Sequence, residues 1–400
     1  MTVKFYTEFL WLAVKFYIFV KNSMLIPRSI QKQLSEDVRG SGKIVLLYGP
    51  RQAGKTTLSK MIVEETGLNC LYANADQLKY VDILSSRDLS KLKSLVSGYE
   101  LLVIDEGQRI PEIGLNLKIL HDELPGIRVL VTGSSSFLLS GRVTEALTGR
   151  KIVYTLLPVS MEELSAQYNP MELDFQLEER LIFGSYPEVV TLPGYRKKEE
   201  YLREISASYI FKDILELENI KYPFKIRDLL KLLAFQTGSQ VSVHELGKQL
   251  AMNRETVERY LYLLEQSFVV FRLSSFSRNP RKEVSKSDKF YFYDNGIRNI
   301  LIDNMKLLNN RNDRGALWEN FIIAERKKYL NARRLYPNCH FWRSYSGAEI
   351  DYIEEHQGEP VAYDIKYRKS AAKAPKAWRD EYGSPFHLVN RENYLDFVAG

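Results

Sequence analysis

The sequence predicts an α/β protein built on a parallel sheet, and three observations carry that reading. Five short apolar runs recur between residues 43 and 156, with polar or helical stretches between them. A glycine-rich loop joins the first run to a helix, and two carboxylates close the third. Short buried strands that alternate with helices imply a parallel sheet covered on both faces.

The elements follow in order. Residues Phe5–Val20 are apolar and aromatic, interrupted by Glu8 and Lys15. The unbroken runs Phe9–Val14 and Phe16–Val20 fall far short of the ~20 residues that span a bilayer, and no small-residue cleavage site follows. The expectation is an extension over 1–23, with translation starting at Met24. A packed element and a membrane-surface helix are the alternatives, and no stable membrane insertion is expected.

Lys43–Tyr48, Cys70–Asn74, Leu101–Asp105, Arg128–Thr132 and Lys151–Leu156 read as strands of a first domain, residues 24–157. Pro158 opens a helix-rich stretch to residue 237, with helices expected at Met161–Gln167, Gln176–Phe183, Glu199–Leu217 and Phe224–Gln236. Two amphipathic helices then flank a turn at Ala251–Asn253. The second, Arg254–Gln266, carries Val257, Leu261 and Leu264 at helical spacing. Strands Phe268–Leu273 and Lys289–Tyr293 follow, separated by a basic loop with Arg278, Arg281, Lys282, Lys286 and Lys289. This predicts a winged helix-turn-helix over 238–300. A helix at Ala316–Leu330 and strands at Phe341–Tyr345, Ala348–Ile353 and Val361–Tyr367 predict a small α/β unit over 301–400.

Composition narrows the classes. At ~150 residues per domain, 400 residues suggest two to four domains. The 22 glycines and 14 prolines are too few for a collagen-like or low-complexity chain. Cys70 and Cys339 can form neither a disulfide framework nor a zinc site, which fits a reducing, cytoplasmic location. A net charge of +6 leans mildly toward anionic partners.

Gly49-Pro50-Arg51-Gln52-Ala53-Gly54-Lys55-Thr56 fits G-x-x-x-x-G-K-[ST], after a strand and before a helix that continues from Thr57. Glycines let the backbone curl so that N–H groups meet phosphate oxygens, and the helix N-terminus adds partial positive charge. Lys55 would contact the β and γ phosphates, and Thr56 would ligate Mg²⁺. Asp105 would hold the same ion through water, and Glu106 would polarise the attacking water. Thr132 or Ser134, at the end of the next strand, would sense the γ-phosphate. Arg142 and Arg150 are candidates for a phosphate contact. As an arginine finger in trans they would require an oligomer, and a solvated role explains them equally well.

GPRQAGKTT (49–57), LLVIDEGQRIP (101–111), VTGSSSFLL (131–139), LTGRKIVYTLLPVSMEEL (147–164), FGSYPEVV (183–190) and KFYFYDNGI (289–297) together resemble the prokaryotic AAA-type ATPases with a C-terminal domain of unassigned function. The resemblance covers most of residues 24–370, and Gly107-Gln108 matches its small-residue–Gln pair. It implies a five-stranded core in which another strand separates Lys43–Tyr48 from Leu101–Asp105. It also implies a helical lid over 158–237, and ATP with Mg²⁺ as the cofactors; the adenine preference comes from the resemblance alone.

Farther on, Glu319 lies on a helix, Asp351 ends a strand, and Asp364-Ile365-Lys366 lies in the next. Asp364 and Lys366 share a face, as do Glu349 and Asp351. The order resembles the restriction-endonuclease pattern, in which clustered carboxylates hold a metal that activates water and a lysine stabilises charge. The basic stretch Lys366–Lys376 suits a phosphate backbone. An intact cleavage site, an inactive binding module and merely exposed acids all remain open. Asn253, Arg254, Glu255, Glu258 and Arg259 open the second helix of the pair, the end that reads bases in such motifs. A protein-docking role is the alternative. The expected function is a Mg²⁺-dependent ATPase that couples nucleotide state to DNA. The rivals are a nucleotide-switched DNA-binding module and a remodelling or signalling ATPase with a protein partner.

Overall fold

The computed structural model describes residues 25–134, 145–209, 220, 222–278, 288–344, 346–368 and 373–400. The apolar N-terminal run, Arg142, the end of the helix expected at Glu199–Leu217, the loop cations Arg281, Lys282 and Lys286, and part of the basic stretch after Lys366 lie outside those residues.

The first sheet is parallel with strand order β2-β3-β4-β1-β5. Its strands are β1 (Ile44–Tyr48), β2 (Cys70–Asn74), β3 (Leu101–Asp105), β4 (Arg128–Gly133) and β5 (Lys151–Thr155). As the resemblance implied, β4 separates β1 from β3. Both faces are buried. Ile44, Leu46 and Tyr48 point into one core while Val45 and Leu47 point into the other. A strand covered on both faces therefore reads as an unbroken apolar run. Helix α1 (Gln31–Gly40) precedes the sheet, and α2 (Lys55–Thr66) follows the glycine-rich loop. Helices α3 (Leu78–Leu84), α4 (Leu89–Val96) and α5 (Ile113–Glu123) complete the crossovers.

Helices α6 (Met161–Ser165), α7 (Pro170–Phe183), α8 (Pro187–Thr191), α9 (Tyr195–Glu204) and α10 (Pro223–Phe235) come next. Asn169 caps α7 through a reciprocal pair with Glu172, and Pro170 occupies its first turn. Beyond them lie β6 (Gln240–Val241), α11 (Val243–Leu250), α12 (Arg254–Gln266), β7 (Val270–Ser275), β8 (Asp288–Phe292) and α13 (Asn295–Leu301). The chain ends with α14 (Arg314–Ala332), β9 (Asn338–Arg343), β10 (Glu349–His356), β11 (Glu359–Ile365), α15 (Lys376–Glu381), β12 (Phe386–Val389) and α16 (Tyr394–Val398).

A second, mixed sheet runs β12-β11-β10-β9-β7-β8-β6. Its join is the parallel pair β7–β9, with Ser274 opposite His340 and Ser275 opposite Phe341. The helix pair and the C-terminal unit are thus one sheet. A single hydrophobic core, from Leu157 to Val398, also includes the helices after β5.

One expectation is corrected. Asp351 does not end its strand but stands near its beginning. β10 continues to His356 because it forms a hairpin with β11, turning at Gln357 and Gly358, both with positive φ. The β9–β10 register slips between Ile350 and Ile353, an extra residue that bulges the strand at Asp351–Tyr352.

Helix α14 binds the two halves together. Its Glu325 accepts from the Met161 amide at 2.7 Å. Lys328 donates to the Val159 carbonyl at 3.1 Å and to Glu325 at 2.7 Å. Asn331 donates to the Thr155 carbonyl at 2.8 Å, and Arg333 pairs with Glu162. The Lys328 and Glu325 side chains are 4% and 2% exposed, so each charge depends on the other. Glu325→Ala leaves a buried ammonium without its carboxylate. We expect a loss of about 3–5 kcal/mol in urea unfolding, with Lys328→Met in the same background restoring part of it.

Candidate functional site

The glycine-rich loop starts where β1 ends. Gly49 has φ 149° and runs so close to the start of the post-β5 segment that an added Cβ would lie 2.0 Å from the Leu156 carbonyl oxygen. Gln52 (φ 62°) and Gly54 (φ 95°) adopt left-handed backbone. Turns of that kind make concave nests of N–H groups. Lys55 opens α2, is buried, and donates to the Gly49 and Pro50 carbonyls at 2.9 Å each, spanning the loop. Gly49 to Thr57 are thereby gathered at the C-terminal edge of the sheet. Arg51 and Gln52 lie on the loop's half-buried side, and Pro50 and Ala53 are buried.

Asp105, at the end of the neighbouring β3, is 4% exposed. Its carboxylate accepts from Thr56 Oγ1 (3.1 and 3.3 Å), from Tyr72 (3.0 Å) and from Thr132. Burial, with Asp105 adding to it against a Ser59 contact, pushes the Tyr72 phenol well up, so Tyr72 stays a donor. The Thr56 hydroxyl and the Asp105 carboxylate form an all-oxygen pair that fits Mg²⁺. Glu106 takes left-handed φ (60°) and its amide donates to Thr132 Oγ1 at 3.2 Å. Gln108 donates to the Glu106 carboxylate at 2.5 Å and accepts from the Ser134 amide at 3.2 Å. Thr132 therefore serves Asp105, and Ser134 stands beside Glu106 through Gln108.

Beside the loop lies a cleft of about 150 Å³. Ile26, Gly54, Met61, Val159, Pro187 and Glu188 line it. Arg28 fixes its shape, donating to the Ala53 carbonyl (2.7 Å), the Leu157 carbonyl (2.5 Å) and Glu163 (3.0 Å). Tyr201 on α9 donates to Gln52 of the loop. Sequence patterning missed Ile26, Arg28, Tyr72 and Tyr201. Pro187 lay within a quoted segment, but without a role.

Arg150 is not brought to this site. It precedes β5 at the opposite edge of the sheet, where its carbonyl accepts from Ile44, the first residue of β1. A five-residue strand, ~16 Å, separates that edge from the loop. Its guanidinium pairs instead with Asp122 at 2.7 Å. That contact and a second from His121 hold the Asp122 carboxyl down at about 2.

The C-terminal acids do come together, with lysines between them. Lys366 Nζ lies 3.2 Å from Asp351 and 2.8 Å from Asp364, and the Ile365 amide donates to Asp351 at 2.8 Å. Lys289 Nζ lies 3.3 Å from Glu319 and 2.5 Å from Glu349, and Tyr291 donates to Glu319 at 2.6 Å. Burial pushes the Glu319 carboxyl up to about 7, with Lys289 opposing and Asp351 adding. Burial opposes the Lys289 charge, but Glu319 and Glu349 outweigh it and raise its pKa. One expectation is corrected here. Lys289 is not a loop cation: it sits inside β8, 1% exposed. Of the expected metal ligands, Glu319 faces Lys289, and Asp351 and Asp364 share Lys366. Among the described residues no three His, Cys, Asp or Glu side chains are arranged to hold a metal ion.

The first sheet and its loop define an AAA-type P-loop ATPase. A family model described as an AAA domain matches residues 41–165. Two described as domains of unknown function, DUF8612 and DUF4143, match 174–308 and 314–392. The chain is 31% identical over 329 residues to the uncharacterized protein Rv2008c of Mycobacterium tuberculosis, covering 81% of this chain and 70% of that protein. It belongs to the same family. It is 25% identical over 354 residues to the uncharacterized protein MJ1544 of Methanocaldococcus jannaschii, covering 83% and 76%. Among solved structures it is similar to the Walker-type ATPase paby2304 of Pyrococcus abyssi, at 14% identity and TM-score 0.45, covering 69% of this chain and 96% of that one. No helix among the described residues is long and apolar enough to cross a membrane.

Gly49→Ala drives a methyl group into the Leu156 carbonyl. Titration with a fluorescent ATP analogue should show affinity reduced roughly tenfold or more, a loss of at least ~1.4 kcal/mol.

Proposed function

We propose that the chain is a Mg²⁺-dependent ATPase whose nucleotide state governs DNA binding by its C-terminal half. The observation that carries the reading is the meeting of Lys55, Thr56, Asp105 and Glu106 at one edge of a parallel sheet. The loop amides take the phosphates, and Lys55 turns from the Gly49 and Pro50 carbonyls to the β and γ oxygens. Thr56 and, through water, Asp105 hold Mg²⁺, which neutralises charge on the transferring phosphate. Glu106 orients the attacking water, and Ser134 reads the γ-phosphate. The base occupies the cleft between Ile26, Met61 and Pro187, under helices α6 to α9 acting as a lid. Arg150 faces away, so any finger role is toward a neighbouring copy in an oligomer.

The DNA half of the proposal is supported by the order β6-α11-α12-β7-β8, that of a winged helix. Asn253 caps α12, accepting from the Thr256 amide at 2.8 Å, and Arg254 beside it is exposed, although Glu258 pairs with it. Strands β9 to β12 after α14 follow the endonuclease-like order. A protein partner is the outcome to accept if DNA fails.

Three outcomes test this reading. Glu106→Gln should keep nucleotide affinity and lose about 10²–10⁴ in hydrolysis rate, measured as phosphate release. Duplex, single-stranded or branched DNA should stimulate hydrolysis by the parent chain and leave Lys55→Ala inert. DNA affinity should fall steeply with salt, and reversing charge at Arg254 and Arg278 should weaken it. Hydrolysis indifferent to every DNA, with no binding at low salt, would refute the DNA half.

A further inference from the structure

The second carboxylate cluster has the acids that the endonuclease-like reading assigns to a metal ion, and lysine ammonium groups stand between them. Lys289 is anchored from behind. Its residue lies within β8, its side chain is 1% exposed, and Nζ packs 5.2 Å from the centre of the Phe341 ring. From there it contacts Glu319 on α14 and Glu349 on β10 at once, at 3.3 and 2.5 Å. The Glu319 oxygen that faces Lys289 also accepts from Tyr291. The backbone closes the far side: a Cβ at Gly238 would lie 3.3 Å from both Glu319 oxygens. Lys366 repeats the arrangement between Asp351 and Asp364.

Mg²⁺ requires near-octahedral oxygen ligands at ~2.0–2.1 Å and gives up its water reluctantly. Here one oxygen of each carboxylate already faces an ammonium group. A divalent ion among them would sit beside the buried Lys289 ammonium, and the two charges would repel. A lysine in the D-x-K position is ordinary for such a pattern; a second one, buried opposite it, is what changes the chemistry.

We propose that the Lys289 ammonium replaces a divalent metal ion in this cluster, leaving the C-terminal unit a metal-free binding module that does not cleave DNA. The inference rests on the endonuclease-like reading of α14 and β9 to β11 above. It does not rest on the ATPase or DNA-stimulation reading, because it concerns metal occupancy alone. Lys289 neutralises Glu319 and Glu349 and ties β8 to α14 and β10.

The test uses the full chain with Lys55→Ala, without nucleotide, and Mn²⁺ followed by the paramagnetic resonance of the free ion. This parent should bind no Mn²⁺ at the C-terminal cluster. Adding Lys289→Met should create one site per chain, at least tenfold tighter than any residual binding. Adding Glu319→Gln should remove it again. Lys289→Gln is the second variant should the methionine chain fail to fold, judged by circular dichroism. The proposal is overturned if the parent binds one Mn²⁺ that Glu319→Gln or Asp364→Asn abolishes. It is also overturned if neither folded Lys289 variant gains a site, or if the parent nicks DNA in Mn²⁺ and Asp364→Ala stops it. Absence of DNA-stimulated hydrolysis in the chain with Lys55 intact, alongside the Mn²⁺ results expected here, would overturn the DNA reading and leave this one standing.

Discussion

A buried carboxylate organises the ATPase half. Asp105 is almost fully removed from water and must find donors inside the protein. It finds them on three separate elements: Thr56 on α2, Tyr72 on β2 and Thr132 on β4. Each of those hydroxyls arrives only if its strand or helix is in register with β3. The parallel sheet brings the C-terminal ends of β1 to β4 to one edge, and the polar requirement of Asp105 fixes how they line up there. The same edge carries the glycine-rich loop, so the demand of one acid for hydrogen bonds also fixes where Thr56 at the end of that loop sits.

How much of this could be read from the chain differs by element. Leu101–Asp105 was legible to the residue, because a strand buried on both faces has no polar position until it leaves the sheet. Arg254–Gln266 was equally plain from its apolar residues at helical spacing, and the structure adds Asn253 as its cap. The phosphate loop announced itself because its backbone needs particular glycines. Arg28 did not. Its partner Glu163 lies 135 residues away, and no local period marks a guanidinium that bridges the loop to the segment after β5. The β7–β9 pairing was hidden for the same reason: it joins stretches that read as two domains. Strand β12, only four residues long, lies after the last patterned run.

The C-terminal acids illustrate a different limit. Spacing placed Asp364 and Lys366 on one face, and they meet there. Spacing also put Lys289 among loop cations, since a charged residue next to others in the chain gives no sign of its burial. A list of acids at suitable intervals describes which ligands are available. What occupies the space between them depends on a strand from elsewhere, and here that strand brings a cation of its own.

Helix α14 has a further consequence for how this architecture can change over time. Glu319 near its start faces the carboxylate cluster, and Lys328, nine residues on and ~14 Å along the axis, holds the carbonyl of Val159, which lines the cleft beside the glycine-rich loop. One rigid rod is therefore shared property. The separation of the regions matched at 41–165 and 314–392 is a separation in sequence only. A different C-terminal unit grafted onto this ATPase would have to bring its own counterparts of Glu325 and Lys328, or leave the Met161 amide and the Val159 carbonyl stranded. Exchanging one region without the other would cost the partner buried hydrogen bonds.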